Sequence, residues 1–514
     1  MKYAFPIHVD KALSYPYVVF TGSHLPVNAS RRPLSYITLR QNNLDERIME
    51  DSDRMAPIIK NSSKLLANAM SRKDILARRL SLGCLEAALQ ASDPRKIMKS
   101  SLRMRGSSLQ VNGKSFDLSR FHRIFVVGGG KAAGSMAASL EEILGARITD
   151  GYVNLLRGTK LRYRTRRIEL NEASHPIPDE AGVRGVGSML EMIQNVTRHD
   201  LVICLLSGGG SALIPYPTQD VSLKDKQLTT QIMLKSGSTI NELNCVRKHL
   251  SLIKGGGLAR AAFPATVLTL ILSDVVGDPL DTIASGPTSP DPTTFGAAIS
   301  ILKCRKIWKC VPESVQRVLM KGTFGKIDET PKQGDKVFRK VTNIIMANNR
   351  ASCKAAEEHA KKVGARSMFL TSFLEGEARE VGIVISAIAK ESRLRRPFSS
   401  PIVMITGGET TVTVTGTGRG GRNQEMMLGA SIKLKGRDGI AIASLGTDGL
   451  DGNTPAAGAI VDGRTCERAE QKAMRPDRFL RNNDSFTFFN RLHDTIITGA
   501  TGTNLNDVTV AAVV

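Results

Sequence analysis

From Ser71 to the C-terminus, short apolar runs alternate with longer stretches whose apolar residues recur at helical spacing. Ser71–Gln90 and Asp93–Arg103 read as helices, the first with Ser71 as cap and Asp74 three residues on. Ile124–Met136 (IFVVGGGKAAGSM) then reads as a buried strand, a glycine turn and a helix Ala132–Leu144. Strands are predicted at Tyr152–Leu156, Arg162–Leu170, Asp200–Leu206 and Thr266–Leu272. Helices are predicted at Leu228–Lys235 and Ile240–Leu252. A polar, glycine-containing break at Lys321–Lys340 reads as a linker, after which strand Val341–Ala347, helix Ala351–Val363 and strand Ser367–Thr371 open a second βαβ series. That series continues through helix Ala378–Ser392, strand Ile402–Ile405, an alternating edge strand Thr410–Thr415, strand Ile440–Ser444 and a terminal strand.

Strand–helix alternation of this kind builds parallel sheets covered on both faces, and such sheets bind ligands beyond the carboxyl ends of their strands. The expectation is an α/β fold of two domains with mainly parallel sheets facing an interdomain cleft. The boundaries that follow are 1–70 for an N-terminal extension, 71–325 for the first domain, 326–340 for the linker and 341–514 for the second domain.

Composition narrows the class. The 514 residues are 41% hydrophobic and only 5% aromatic, with 46 glycines, a balance suited to an α/β enzyme. The longest apolar runs, Leu201–Leu206 and Ala265–Leu272, are too short to span a bilayer, so a soluble protein without a membrane partner is expected. Seven dispersed cysteines without a CxxC pair read as reduced thiols of the cytoplasm or the mitochondrial matrix. Up to Leu44 the only acid is Asp10 against five basic residues, which resembles a mitochondrial presequence although prolines interrupt it. The net charge of +23 raises the question of nucleic acid, and Arg157–Arg167 (RGTKLRYRTRR) places Tyr163 among cations. No nucleic-acid motif accompanies it, so no specific nucleic-acid partner is expected; the same field would favour small anionic substrates.

The candidate chemistry sits where strands end. Gly128, Gly129, Gly130 and Lys131 fit neither a P-loop, which needs Ser or Thr after the lysine, nor the dinucleotide fingerprint, whose glycine spacing is one residue shorter. Their reading is a phosphate cradle at a helix start with a cation beside it. Ser207, Gly208, Gly209, Gly210 and Ser211 make a second cradle after the next strand. Lys131 and either Arg419 or Arg422, in a loop with four glycines, are the candidate cations, and Asp274, Asp278, Asp448 and Asp451 the candidate holders of magnesium. His175, between Ser174 and Pro176, is a lone loop histidine. Donors, cations and carboxylates together are the parts that phosphoryl transfer requires.

The motifs VVGGGKAAGSMA (Val126–Ala137), HPIPDEAG (His175–Gly182), LLSGGGSAL (Leu205–Leu213), NCVRKHLSLIKGGGLA (Asn244–Ala259), LSDVVGDPLDTIASGPTSPDPTTF (Leu272–Phe295), GGETTVTVTGTGRGGRNQE (Gly407–Glu425), GTDGLDG (Gly446–Gly452) and NDSFTFF (Asn483–Phe489) resemble, in this order, the glycerate 2-kinase family with its C-terminal MOFRL domain. The resemblance implies two Rossmann-like three-layer α/β domains. It implies ATP-dependent phosphorylation of the 2-hydroxyl of D-glycerate, with Lys131 and Arg422 as active-site cations, and it leaves room for a homo-oligomer. On this reading Asp448 or Asp274 orients the hydroxyl or the metal. Two positions depart from the family pattern, Pro455 and Ala500. A hydroxypyruvate-type oxidoreductase is the alternative enzyme, suggested by the near-Rossmann loop, and a basic nucleic-acid binder the alternative outside catalysis.

Overall fold

The computed structural model describes residues 57–394 and 401–514; most of the predicted N-terminal extension lies outside them. The described part of that extension, residues 57–70, belongs to the fold. Lys60 N donates to Ile497 O at 2.8 Å, and Asn68 bonds to the backbone of Leu492 and the carboxylate of Asp494.

The first sheet contains β4 (Arg123–Gly129), β5 (Asp150–Leu156), β6 (Ile168–Ala173), β7 (Asp200–Leu206), β8 (Thr266–Leu272) and β9 (Val341–Ala347), preceded by a small antiparallel meander of β1 (Leu102–Arg105), β2 (Ser108–Val111) and β3 (Lys114–Asp117). Its order is β6-β5-β4-β7-β8-β9, and every pairing is parallel. Leu201, Ile203 and Leu205 pack on one face and Val202, Cys204 and Leu206 on the other, which is why β7 is apolar throughout.

The second sheet contains β10 (Arg366–Leu374), β11 (Ile402–Gly408), β12 (Ile440–Gly446), β13 (Gly458–Asp462), β14 (Thr495–Ile496) and β15 (Asp507–Val513), in the order β10-β11-β15-β12-β13-β14. Only β10 and β11 pair in parallel; β15 runs antiparallel between β11 and β12, and β13 and β14 continue antiparallel. The expectation of two α/β domains holds, but that of mainly parallel sheets holds for the first sheet only. The C-terminal strand inserts in reverse, placing its first residue, Asp507, beside Gly408 and Gly446 at the carboxyl ends of both neighbours.

Several predicted elements fall elsewhere. Val341–Ala347 does not open the second domain but completes the first sheet beside β8. Helix Arg72–Ala91, capped as expected by Ser71, packs on β12, β15 and helix Asn349–Lys362 and so covers the second sheet. The expected linker is bound to the first domain: Glu329 Oε1 lies 2.8 Å from His249 Nε2, and Thr330 donates to Asp291 at 2.9 Å. The basic strand Arg162–Leu170 is a short turn, Lys160–Arg162, with the strand beginning at Ile168, because its cations point to water. Thr410–Thr415 forms only an isolated bridge through Thr411, and Thr410, Thr411, Val412 and Val414 line the cleft instead of extending the sheet.

Candidate active site

Strand β4 ends at the start of helix Ala133–Leu144, and the intervening turn presents Lys131. The glycines before it approach protein. A Cβ on Gly128 would lie 2.1 Å from Leu205 O, and one on Gly130, at φ +153, would lie 2.2 Å from Ser207 Oγ. Gly128 and Gly130 thus let β4 press against β7 and its loop, Gly129 meets Asn154 of β5, and the N–H groups of Gly130 and Lys131 donate to Asn154 O and Gly208 O, so the expected phosphate cradle is not formed by them. Ser207 is buried and its Oγ accepts from Ala132 N at 3.0 Å, closing the helix start. Of the second glycine loop, Gly209, Gly210 and Ser211 line the cleft. Gly208 faces Asp274, whose Oδ2 would stand 2.3 Å from a Cβ there.

The cleft encloses about 1090 Å³ between this wall and the second domain. Beside it, Lys131 Nζ of the first domain donates to Asp448 Oδ2 of the second at 3.1 Å, with both side chains 21% exposed. Asp274, at the end of β8, accepts from Asn504 Nδ2 at 3.1 Å, and burial pushes its carboxyl up to about 6 against the pull of Lys131. Arg422 opens helix Arg422–Leu434, with Nη2 2.9 Å from Asp507 Oδ1 and Nη1 3.0 Å from Glu409 Oε1. Burial works against the charge of Arg422, but Asp507 and Glu409 outweigh it and hold its pKa above the ordinary value. His175 packs beside Gly209 and Lys131; burial and then the lysine hold it down to about 4, so it is neutral at pH 7.

The remaining candidates separate by surroundings. Arg419 stacks over the Phe486 ring at 5.1 Å, outside the cleft lining that includes Arg422. Asp451 is buried and accepts from the backbone N–H groups of Asn423 and Gln424, so it caps the helix that carries Arg422. Asp278 accepts from Asn348 Nδ2 on the first domain and is not part of the cleft lining. The expected trio Asp274, Asp278 and Asp451 is therefore not assembled, and among the described residues no three His, Cys, Asp or Glu side chains form a ready metal cage. Asp274 and Glu409 line the cleft, and Asp448 and Asp507 stand beside it through their contacts with Lys131 and Arg422. Glu409 and Asp507 are raised by burial and by this mutual repulsion. An excess of hard oxygen donors over the cations Lys131 and Arg422 suits magnesium carried in on phosphates.

Glu409, Asn504 and Asp507 were not among the predicted site residues. Glu409 follows a strand ending in Gly-Gly and could have been found by the same rule as Lys131. Asp507 could not, because it begins its strand. The Arg157–Arg167 cluster lies away from this cleft, with Arg157 donating to Asp179 and the Tyr163 ring packed against Gly134. The departures Pro455 and Ala500 are both exposed. Next to Pro455, Thr454 Oγ1 accepts from Gln424 at 3.0 Å, which ties the loop to the capped helix.

A family model described as a domain of unknown function, DUF4147, matches residues 80–320, and one described as the MOFRL family matches residues 402–507. The chain is 40% identical over 440 residues to the glycerate 2-kinase of Pyrococcus horikoshii, covering 85% of this chain and 97% of that one. It is 39% identical over 444 residues to a protein of Agrobacterium vitis provisionally named a hydroxypyruvate reductase, covering 85% and 95%. The crystal structure of glycerate kinase from Thermotoga maritima superposes with a TM-score of 0.74 at 38% identity, covering 85% of this chain and 99% of that one. With this identity sustained across nearly the whole length of its relatives, the chain belongs to the glycerate 2-kinase family.

Proposed function

We propose that this protein transfers the γ-phosphoryl group of ATP to the 2-hydroxyl of D-glycerate, giving 2-phospho-D-glycerate and ADP. The observation that carries the reading is the pairing of Lys131 and Asp448 from opposite domains at 3.1 Å, near Asp274, with Arg422 lining the adjoining cleft. Charge on the transferring group spreads over its oxygens, and Lys131 and Arg422 are placed to neutralise it from the two domains. The substrate oxygen forms the new P–O bond as the bond to the bridging oxygen of ADP breaks, and the hydroxyl proton passes to a carboxylate. Asp274 suits that role, being ionised at pH 7 yet more basic than an ordinary aspartate. Asp448 and Glu409 would take magnesium that enters on the phosphates, which when bound neutralises phosphate charge. Ser211 and the backbone of Gly209 and Gly210 would face the phosphates. The seven unpaired cysteines suit a reducing compartment, the cytosol or the mitochondrial matrix.

A reductase reading is favoured only by the name of the Agrobacterium vitis relative. A dinucleotide fold needs a glycine at which the pyrophosphate reaches the backbone. Here the corresponding glycines meet Leu205, Asn154 and Ser207. The deciding experiment supplies ATP, magnesium and D-glycerate, follows ADP release and identifies the product by NMR. Glycerate-dependent 2-phosphoglycerate is expected. Its absence, together with NADH oxidation by hydroxypyruvate, would overturn the kinase reading.

A further inference from the structure

Three cations near the cleft are not used by the chemistry above. Arg247, on helix Ile240–His249, lines the cleft beside Ser211, Asn244 and Ala284 and forms no ion pair or hydrogen bond with a described side chain. Lys226 is 6% exposed, and its Nζ has no hydrogen-bond partner. Lys254 is 1% exposed and reaches the carbonyls of Ser211 at 3.0 Å and Ala284 at 3.3 Å, which bear no formal charge. The charged groups acting on Lys254 are Lys226 and Arg247, and the one acting on Lys226 is Arg247. Burial and this mutual repulsion hold both lysines below their ordinary range.

This arrangement contrasts with the rest of the cleft. Lys131 is matched by Asp448, and Arg422 by Glu409 and Asp507. The strand-end side is thus rich in carboxylates, whereas the Arg247 side is cationic without a counter-ion. Burying basic groups together weakens their charged forms, which an arriving anion would restore. The wall around them is ordered: Ser211 and Ser285 hydroxyls lie 3.0 Å apart, and Ser285 donates to Asn244 Oδ1 at 3.1 Å. Ala284 and Ser285 both hold left-handed backbone, at φ 50 and φ 63, strain kept next to this surface.

We propose that Arg247, the guanidinium of the cleft wall unpaired among the described residues, is the oxyanion seat of the cleft, receiving either the carboxylate of the acceptor acid or a phosphate of the nucleotide. The proposal deepens the kinase reading and rests on it for the identity of those two ligands. A guanidinium presents a planar fork that matches either oxyanion through two parallel N–H···O bonds. Arg247 is the member that touches ligand; Lys254, held by the carbonyls of Ser211 and Ala284, shapes the wall beside it.

The test uses the full chain with Arg247→Gln and Arg247→Lys. Calorimetric titrations with D-glycerate alone and with ATP alone need no turnover, and KM for each substrate is measured beside them. Loss of a charge-assisted pair predicts that Arg247→Gln weakens one ligand by about 10- to 100-fold in Kd and KM, the other changing less than about twofold. Arg247→Lys keeps the charge without the fork and should show a smaller loss on the same arm, which also serves if Arg247→Gln fails to fold. A loss confined to glycerate assigns the carboxylate, and one confined to ATP assigns the phosphate. Unchanged affinities, equal losses on both arms, or a fall in kcat alone would overturn the seat. If the wild type binds these ligands and makes no 2-phosphoglycerate, the kinase reading fails while the binding arms still judge Arg247. A wild type that binds neither overturns both.

Discussion

Lys131 is held between the domains by a single carboxylate contact, so its removal should cost chemistry more than stability. Lys131→Met is expected to lower kcat by about a hundredfold or more, as for loss of one preorganised electrostatic stabiliser, with little change in melting temperature. Full activity in the ADP-release assay would end that role. Asp274 supplies a pH signature. With its carboxyl at about 6, kcat/KM should fall on the acid side near pH 6, as the proton acceptor becomes protonated. Asp274→Asn should abolish most activity, whereas His175→Gln should leave the acid limb in place, since His175 already stays neutral down to about pH 4. The stability sign is opposite to that of a salt-bridged aspartate. The folded state holds this proton more tightly than the unfolded chain, so the contribution of Asp274 is present at low pH and is lost as pH rises through about 6. Lys131, Asp448 and Asp274 could be recognised as candidates from residue type and strand-end position; their separation of roles required neighbours distant in sequence, such as Asn504.

At the scale of elements, helix Arg422–Leu434 shows how the site is positioned. Its first turn has no cap of its own, since Gly421 precedes it, and the carboxylate of Asp451 from the loop after β12 supplies the missing acceptor. Asp451→Ala should therefore cost about 1–2 kcal/mol of stability and, by loosening the start of the helix, raise the KM for substrate or lower kcat through Arg422. Thermal denaturation and steady-state kinetics of the same variant check both effects. In the sequence Asp451 is indistinguishable from a metal ligand, because Asp-Gly-Leu-Asp-Gly suits either a turn or a cation site. The glycine turn after β4 is a similar case. Its existence is readable from IFVVGGGKAAGSM, but whether its glycines meet phosphate or Leu205 depends on a strand more than seventy residues away.

At the scale of the whole molecule, the chain crosses between its domains. Helix Arg72–Ala91 covers the second sheet and anchors there through Arg78, fully buried, whose guanidinium meets Asp462 and Asp494. Leu76, Leu80 and Leu85 of the same helix join Val508, Val510 and Ala443 in one core. A fragment of residues 341–514 would expose that core, leave Asp462 without its guanidinium partner, and carry β9 without its partner β8. It is expected to be insoluble or molten, with near-UV circular dichroism and a cooperative transition recovered only when residues 57–92 are supplied; a cooperatively folded fragment would contradict this. What the sequence by itself determined is local: apolar runs that must be buried strands, amphipathic helices between them, glycine and polar loops at strand ends, and hence an α/β protein with its chemistry at the carboxyl ends. The ordered motifs also identified the family. What the tertiary structure decided is which sheet receives each element, that β15 enters in reverse and so brings Asp507 to Arg422, and which carboxylates serve the cleft rather than a helix cap. The physical reason is that periodicity specifies which face an element buries, whereas its partner is chosen by the joint packing of segments hundreds of residues apart, which no local pattern encodes.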